Sequence, residues 1–364
     1  MSNMINKSAC FVCATPYQIM SAIAIVQDKK LDADLYIFGT FIGYEKLAER
    51  IKRTEIFKYV ITVDYEPFRH RSYKKNLLQI LKKKSFYDKY VPVDRIYSYF
   101  YSTSRAHFKL LLFYELKKRN PNVLCVYYED GLGTYGTNIS ILQKSSWRDR
   151  IEFFMGCKSF SPEKTRLMAS IPSLIDIPAY FSDKVDTMPC LLTDEGNKSR
   201  LKDIFVEDEM ICINEPIIIF DVLRRGNIES QLLDDCYQKL LDVFHFNNIV
   251  CKQHPRSTFE THVKIKQFVD KSIPMEVLYL GMDDIERRIL VGNMSTALFS
   301  PKLLFGKEPY VVSLHELLIP QDNNIKIIFN KMLCLYKNKN KIFAPKTLDE
   351  FSNILLAIRE NISI

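Results

Sequence analysis

Residues 9–38 read ACFVCATPYQIMSAIAIVQDKKLDADLYIF, and this stretch decides the fold class. Ala9–Ala14 is an uninterrupted apolar run of strand length, and Asp34–Phe38 is a second one. Between them Tyr17–Gln27 carries apolar side chains at helical spacing. Strand, helix, strand within thirty residues predicts a parallel pair, because a parallel connection needs a crossover of this length. A parallel sheet is covered on both faces, so its strands lack polar alternation, as these do. Outward from this unit the pattern repeats: Tyr44–Arg53 reads as a helix, Phe57–Val63, Arg95–Tyr99 and Val123–Tyr128 as strands, and Ser104–Arg119 as a helix.

From about Trp147 to Asp208 the pattern weakens, with Pro162, Pro172, Pro178 and Pro189 punctuating short segments. Regularity returns with the strand Pro216–Phe220, the helix Ser230–Phe244 and the strand Asn248–Lys252. Glu276–Leu280, Ile289–Val291 and Tyr310–Ser313 read as further strands, and Leu348–Ile358 as a closing helix. The expected architecture is α/β of GT-B type, with two Rossmann-like, doubly wound domains facing a central cleft. Its expected divisions are 1–208 for an acceptor-side domain with an irregular closing segment, 209–345 for a nucleotide-sugar domain, and 346–364 for a C-terminal helix.

Composition narrows the function classes. The 364 residues are 47% hydrophobic and 26% charged, with 11 Gly and 15 Pro. Those are globular proportions, unlike a disordered or fibrous chain. Seven of the net eight positive charges lie between Arg69 and Lys89. The remainder is nearly neutral, which disfavours the distributed phosphate contacts of a nucleic-acid binder. The opening MSNMINKSACFVCATPYQIM lacks the layout of a signal peptide, and no window approaches the ~20 apolar residues of a membrane span. A cytoplasmic protein without an amino-terminal anchor is expected. Cys10, Cys125, Cys212 and Cys251 lie in apolar runs, where thiols pack as small hydrophobes. Cys10-x-x-Cys13 lacks the second pair or nearby His that a metal site needs. No GxGxxG follows the first strand, Ala9–Ala14, where a dinucleotide fingerprint would open the first crossover helix, and no GxxxxGK[ST] is present, so a dinucleotide cofactor or a P-loop NTPase is not expected.

Four constellations fall just past predicted strand ends, where open α/β sheets bind ligands. Glu129-Asp130-Gly131 places two carboxylates at a turn, and either suits a general base for a sugar hydroxyl. His254-Pro255-Arg256 supplies an imidazole for a phosphate oxygen or leaving group, with a forked guanidinium beside it. Ser295-Thr296 sets hydroxyls and free backbone N–H groups at a helix start, an anion site needing no metal. Pro301 should kink that helix or restart it at Ser300, and Gly306 suits its C-terminus. Asp221, followed by Arg224 and Arg225, is a second candidate base, and spacing alone does not choose between it and Asp130.

Together with Cys13-Ala-Thr-Pro-Tyr-Gln18, these motifs resemble the bacterial sialyltransferases of glycosyltransferase family 52, the lipooligosaccharide and capsule group. Acid-acid-Gly, His-Pro and paired hydroxyls also recur in other bacterial sialyltransferase families, including those that make polysialic acid. The resemblance implies an inverting, metal-independent sialyltransferase with CMP-sialic acid as donor and a galactose-terminated surface glycan as acceptor. It implies that His254 assists departure of the CMP phosphate, held with Pro255 and Arg256 and by Ser295 and Thr296. The base falls to Asp221, with Asp130 as the rival. Glu129, Asp130, Gly131, Thr15 and Gln18 are on the acceptor side. No cofactor and no metal ligand are implied, and a homodimer is.

The segment His70–Lys84 sets Leu77, Leu78, Ile80 and Leu81 among lysines, a composition suited to peripheral contact with an anionic membrane. Two other functions are compatible with the motifs: a related transferase using another nonulosonic acid or a hexose nucleotide, and a non-catalytic glycan or nucleotide-sugar binder.

Overall fold

The structure, a computed structural model, describes residues 8–63, 88–104, 107–136, 165–177, 179–189, 195–206, 213–220, 230–253, 262–268 and 273–362. The chain forms two compact units, one of residues 1–134 with 138–191, the other of 135–137 with 192–364.

In the first unit the strands are β1 (Ser8–Cys13), β2 (Asp32–Phe38), β3 (Tyr59–Val63), β4 (Tyr99–Ser102), β5 (Leu124–Tyr128), β6 (Thr165–Ala169) and β7 (Val185–Thr187). They pair in the order β3-β2-β1-β4-β5-β6-β7, every pair parallel. Helices α1 (Pro16–Lys29), α2 (Tyr44–Lys52) and α3 (His107–Arg119) supply crossovers. The central strand β1 is buried along its whole length, as expected of a strand covered on both faces.

The second unit repeats the plan. Strands β8 (Ile217–Phe220), β9 (Ile249–Lys252), β10 (Lys266–Gln267), β11 (Ile289–Gly292), β12 (Tyr310–Ser313) and β13 (Ile342–Phe343) pair in the order β10-β9-β8-β11-β12-β13, again all parallel. Its described helices are α4 (Glu195–Phe205), α5 (Ser230–Val243), α6 (Met275–Tyr279), α7 (Thr296–Phe305), α8 (His315–Leu318), α9 (Asn323–Leu335) and α10 (Leu348–Asn361). Phe351, Leu355 and Ile358 of α10 join the core formed by Leu233, Tyr237 and Leu240 of α5 over β8 and β9. Thr347 caps α10 by accepting from the Glu350 amide at 3.1 Å, while Glu350 accepts from the Lys346 amide. This is close to the reciprocal capping-box arrangement.

Both sheets therefore have the dinucleotide-fold order, winding outward in two directions from a central pair. The reversal lies between β1 and β4 in one unit and between β8 and β11 in the other. Beyond the carboxyl ends of those strands the crossovers diverge, and a ligand-binding crevice opens there by topology alone.

Three expectations need correction. Arg95–Tyr99 is not a strand; β4 starts at Tyr99. Arg95 instead lies buried at the amino ends of the strands, 2.6 Å from Asp32 and 2.7 Å from Asp34, with the Tyr97 hydroxyl also donating to Asp34. Glu276–Leu280 is helical, since α6 spans Met275–Tyr279 and is buried on every side. A short, wholly buried apolar run has no periodicity to separate helix from strand. The stretch from Trp147 to Asp208 holds β6, β7 and α4 among its described residues. The short edge strand β7 is clamped by Asp186, which accepts from Arg166 of β6 at 2.8 and 2.9 Å. An arginine in one strand and three residues in the other leave no apolar run to detect.

Among the described residues no helix is long and apolar enough to cross a membrane. The basic segment His70–Lys84 lies outside the described residues.

Candidate functional site

In the first unit, predicted site residues meet beyond the carboxyl ends of β1 and β5. The chain leaves β1 through Ala14 and starts α1 at Thr15, whose hydroxyl accepts from the Gln18 amide at 3.3 Å; Pro16 takes the first helical position. A proline there loses nothing, because its missing N–H would have no helical partner. The first turn presents Gln18, which is buried, toward the end of β5. Gln18 Oε1 accepts from the Ala14 amide at 2.7 Å, and Gln18 Nε2 donates to Asp130 Oδ1 at 2.8 Å.

The two adjacent acids after β5 are thereby sorted. Glu129 is wholly buried; it accepts from the Tyr17 hydroxyl at 3.0 Å and from the Ser170 amide at 2.7 Å. It ties α1 and the end of β6 to β5. Asp130 is exposed, its amide donates to the Thr134 hydroxyl at 3.1 Å, and its carboxylate is held by Gln18. Gly131 follows at φ +78°, a left-handed conformation that costs glycine nothing. Successive residues of a chain leaving a strand point to opposite sides, so one acid turns inward and one outward before the chain bends at Gly131.

Behind this group, Cys13 shares a 3.2 Å hydrogen bond with the Tyr128 hydroxyl. Burial pushes the Cys13 thiol up to about 12, despite that bond and the charge of Lys109. A thiol so protonated is a poor nucleophile or metal ligand, and Cys10 is likewise raised by burial. Cys10-x-x-Cys13 is core packing.

In the second unit β11 ends at Gly292, and a Cβ there would stand 3.0 Å from both Cβ and the carbonyl oxygen of Phe220, the last residue of β8. The two strands at the reversal point approach so closely that a larger residue would have to push Phe220 aside by a few tenths of an ångström. The chain then turns through Asn293, whose side chain accepts from the Met294 amide at 2.8 Å, into Ser295, the N-cap of α7. Ser295 Oγ accepts from the Ala297 amide at 3.3 Å, and Ser295 and Thr296 are both part-exposed. The first turn of α7 directs its backbone N–H groups outward past the sheet, an electropositive position for an anion.

Pro301 does not restart this helix at Ser300; α7 runs through it from Thr296 to Phe305. The missing N–H would leave the Ala297 carbonyl unpaired, and the buried Tyr279 hydroxyl donates to that oxygen at 2.8 Å instead. Beside it Ser300 Oγ lies 2.9 Å from the Thr296 carbonyl and 2.7 Å from Glu276, a carboxyl whose pKa burial raises. Gly306 ends α7 at φ +68°, its amide donating to the Lys302 carbonyl, as expected. Tyr279→Phe should therefore cost about 1–3 kcal/mol in urea denaturation, the range for orphaning a buried carbonyl. In the double variant with Pro301→Ala the restored N–H should recover most of that loss. A cost below about 0.5 kcal/mol for Tyr279→Phe would refute this account of the helix.

Asp221, His254, Pro255 and Arg256 lie outside the described residues, as do Arg224 and Arg225. The strands that lead to them are described: β8 ends at Phe220 and β9 at Lys252, paired side by side. His315, without supporting context in the sequence, is buried in the core at 2.9 Å from Ser313 Oγ, with burial lowering its pKa to about 4. Sequence reading quoted Tyr17 in its motif without a role and missed Ser170, the two residues that hold Glu129, and it missed Lys109. The available signal for Lys109 was a lone lysine in the apolar start of α3, just past a strand end.

The sequence model of the alpha-2,8-polysialyltransferase (POLYST) family matches residues 10–314. That span takes in every motif residue from Thr15 to Thr296. No curated protein matches the chain in sequence. Solved structures that it resembles include the glycotransferase of kitacinnamycin, with TM-score 0.51 and 12% identity over 98% of this chain and 93% of that one. They also include LpCGTa, solved with UDP, with TM-score 0.55 and 8% identity over 96% and 90%. TcCGT1, also solved with UDP, aligns with TM-score 0.50 and 9% identity over 98% and 90%. At such identities the likeness is one of fold, and it identifies two Rossmann-like sheets of the GT-B glycosyltransferase type. The sialyltransferase class read from the motifs agrees with the family match, which is to polysialyltransferases and not to family 52. By that match over most of its length, the chain belongs to the alpha-2,8-polysialyltransferase family.

Proposed function

We propose that the protein is an inverting, metal-independent sialyltransferase that moves sialic acid from CMP-sialic acid to the terminal sugar of a surface glycan. The observation that carries this reading is the placement of the motif residues. Asp130, Thr15 and Gln18 follow strands at or beside the reversal point of one sheet, and Ser295 and Thr296 follow a strand at the reversal point of the other. Family membership favours sialic acid as the transferred group.

In this reading the second unit holds the donor. Ser295, Thr296 and the amides of α7 take the phosphate, and His254 with Arg256 neutralises the charge that grows on it as the bond to the sugar breaks. The first unit serves the acceptor. Asp130 takes the proton from the attacking hydroxyl, and Gln18 aims it. Asp130 is favoured over Glu129 because it is exposed, and it is taken as the base, with Asp221 as the rival, because Gln18 orients its carboxylate. Arg224, Arg225 and Arg256 are the candidates to pair with the donor's carboxylate.

The galactose-terminated acceptor of the family 52 reading, in lipooligosaccharide or capsule, belongs to this proposal, with a cytoplasmic enzyme touching the membrane through residues 70–84. The polysialyltransferase match favours a second acceptor, a glycan already ending in sialic acid. One screen tests donor and acceptor together. Purified protein is incubated with CMP-sialic acid, other CMP-sugars and UDP-sugars, against lactose and against oligosialic acid, with product masses as the readout. Acceptor-dependent release of CMP with addition of one or more sialic acids is expected. Turnover with a UDP-hexose and none with CMP-sialic acid would overturn the donor assignment, and binding without turnover of any donor would overturn the enzyme. A sialylated lactose product supports the galactoside acceptor, and extension of oligosialic acid alone replaces it.

A further inference from the structure

Behind Asp130 lies a cation that the proposed chemistry has not used. Lys109, in the first turn of α3, is 2% exposed. Its Nζ donates to the Thr103 hydroxyl at 3.0 Å, in the loop after β4, and lies 3.5 Å from Gln18 Oε1. The buried lysines of stable cores are paired with carboxylates as a rule, because an isolated buried charge is expensive. Both of these contacts are neutral oxygens. The groups that face Lys109 come from four elements: Gln18 from α1, Thr103 after β4, Cys13 at the end of β1 and Asp130 after β5. The Cys13 thiol is protonated over the working range. Asp130 is therefore the charge on which Lys109 acts, and the Gln18 amide stands between them.

That placement dictates the amide's orientation. Gln18 Oε1 faces two donors, the Ala14 amide and the Lys109 ammonium, so Nε2 must face the carboxylate, to which it donates at 2.8 Å. An ammonium on the oxygen side and a carboxylate on the nitrogen side polarise the amide in the same sense.

We propose that Lys109 is a positioning residue for the reaction: as a cation it locks the Gln18 amide, and through it aims the Asp130 carboxylate at the acceptor hydroxyl. The inference rests on Asp130 as the base. Burial lowers the Lys109 pKa to about 8, the charge of Asp130 opposing that shift. Above that pH the amine is neutral, the Ala14 amide alone holds Oε1, and the polarised grip of the amide on Asp130 weakens. The wild-type turnover number should accordingly fall as pH rises through about 8.

The test is the pH profile of transfer from CMP-sialic acid in three variants, each checked for folding by its melting curve. Lys109→Met should lower kcat about 10–100-fold at pH 7 with KM for the acceptor changed less than threefold, and should abolish the fall near pH 8. Gln18→Glu should also lower kcat, since a carboxylate cannot donate to Asp130. Its new charge beside Lys109 should move the alkaline limb upward by a unit or more. A purely structural lysine would shift the melting curve and leave the limb in place. An alkaline limb unchanged in Gln18→Glu, or absent from the wild type, sinks the proposal even if Lys109→Met does not fold. Asp130→Asn separates the two readings. Full activity in that variant removes the base assignment itself, whereas an inactive Asp130→Asn alongside unshifted limbs removes Lys109 alone.

Discussion

Asp130→Asn is expected to reduce kcat by about 10²–10⁴-fold, the range associated with a general base, while leaving the melting temperature within a degree or two of the wild type. The substitution is nearly isosteric, and its side-chain oxygen still accepts from Gln18 Nε2, the contact seen at 2.8 Å. Geometry is kept and basicity removed, so the loss should sit in kcat, with KM for the acceptor little changed. Glu129→Gln makes the contrast. Glu129 is buried and accepts from both Tyr17 and the Ser170 amide. Glutamine can give its oxygen to the Ser170 N–H only by presenting its NH2 to the Tyr17 hydroxyl, which must turn from donor to acceptor, so the substitution should cost stability before it affects the chemistry of the surviving protein. Asp221→Asn, assayed beside them, should retain activity within about tenfold. The reverse pattern, with Asp221→Asn inactive and Asp130→Asn near wild type, would hand the base role to the second unit, as the family 52 resemblance had it.

The contrast between those neighbouring acids also marks how far the sequence could be read. The repeating strand and helix pattern was legible because buried parallel strands such as Ser8–Cys13 and Ile217–Phe220 are continuous apolar runs, which few other structures produce. Strand ends were legible for the same reason, and with them where the described candidates Thr15, Gln18, Asp130, Ser295 and Thr296 stand relative to β1, β5 and β11. Which of two adjacent acids faces outward was not, because that depends on partners 41 and 112 residues away in the chain. Elements with mixed composition were lost. Thr165–Ala169 carries an arginine that its neighbour strand neutralises, a compensation visible only once the strands are paired. Pro301 misled for a similar reason. Local chemistry condemns a proline inside a helix, and the Tyr279 hydroxyl that rescues it belongs to a different element. Lys109 drew no reading from the sequence, because its surroundings are assembled by α1 and the loop after β4.

The donor side has an equally sharp test, because Ser295 holds two roles that a single substitution can pull apart. As N-cap of α7 its hydroxyl accepts from the Ala297 amide, a job that aspartate performs as well as serine. Aspartate also places a negative charge at the positive end of the helix, which adds a few tenths of a kcal/mol or more. Ser295→Asp should therefore leave the melting temperature unchanged or raise it by a degree or two. The same carboxylate would occupy the position proposed for the departing phosphate. Two like charges about 4 Å apart repel by roughly 4 kcal/mol near a protein surface. Allowing the new side chain to turn away, KM for CMP-sialic acid should rise about 10²–10³-fold, more steeply at low salt than at high. Ser295→Ala should do the opposite: it costs about 1 kcal/mol of stability and weakens the donor only severalfold, since the backbone amides of α7 remain. If Ser295→Asp is as active as wild type, the start of α7 is a capped helix and nothing more, and the phosphate must be held elsewhere. If stability and donor binding fall together in both variants, helix integrity explains them and the anion site is again refuted. Only a stable Ser295→Asp protein that has lost its donor, with a KM penalty relieved by salt, fits a nucleotide phosphate seated on that helix.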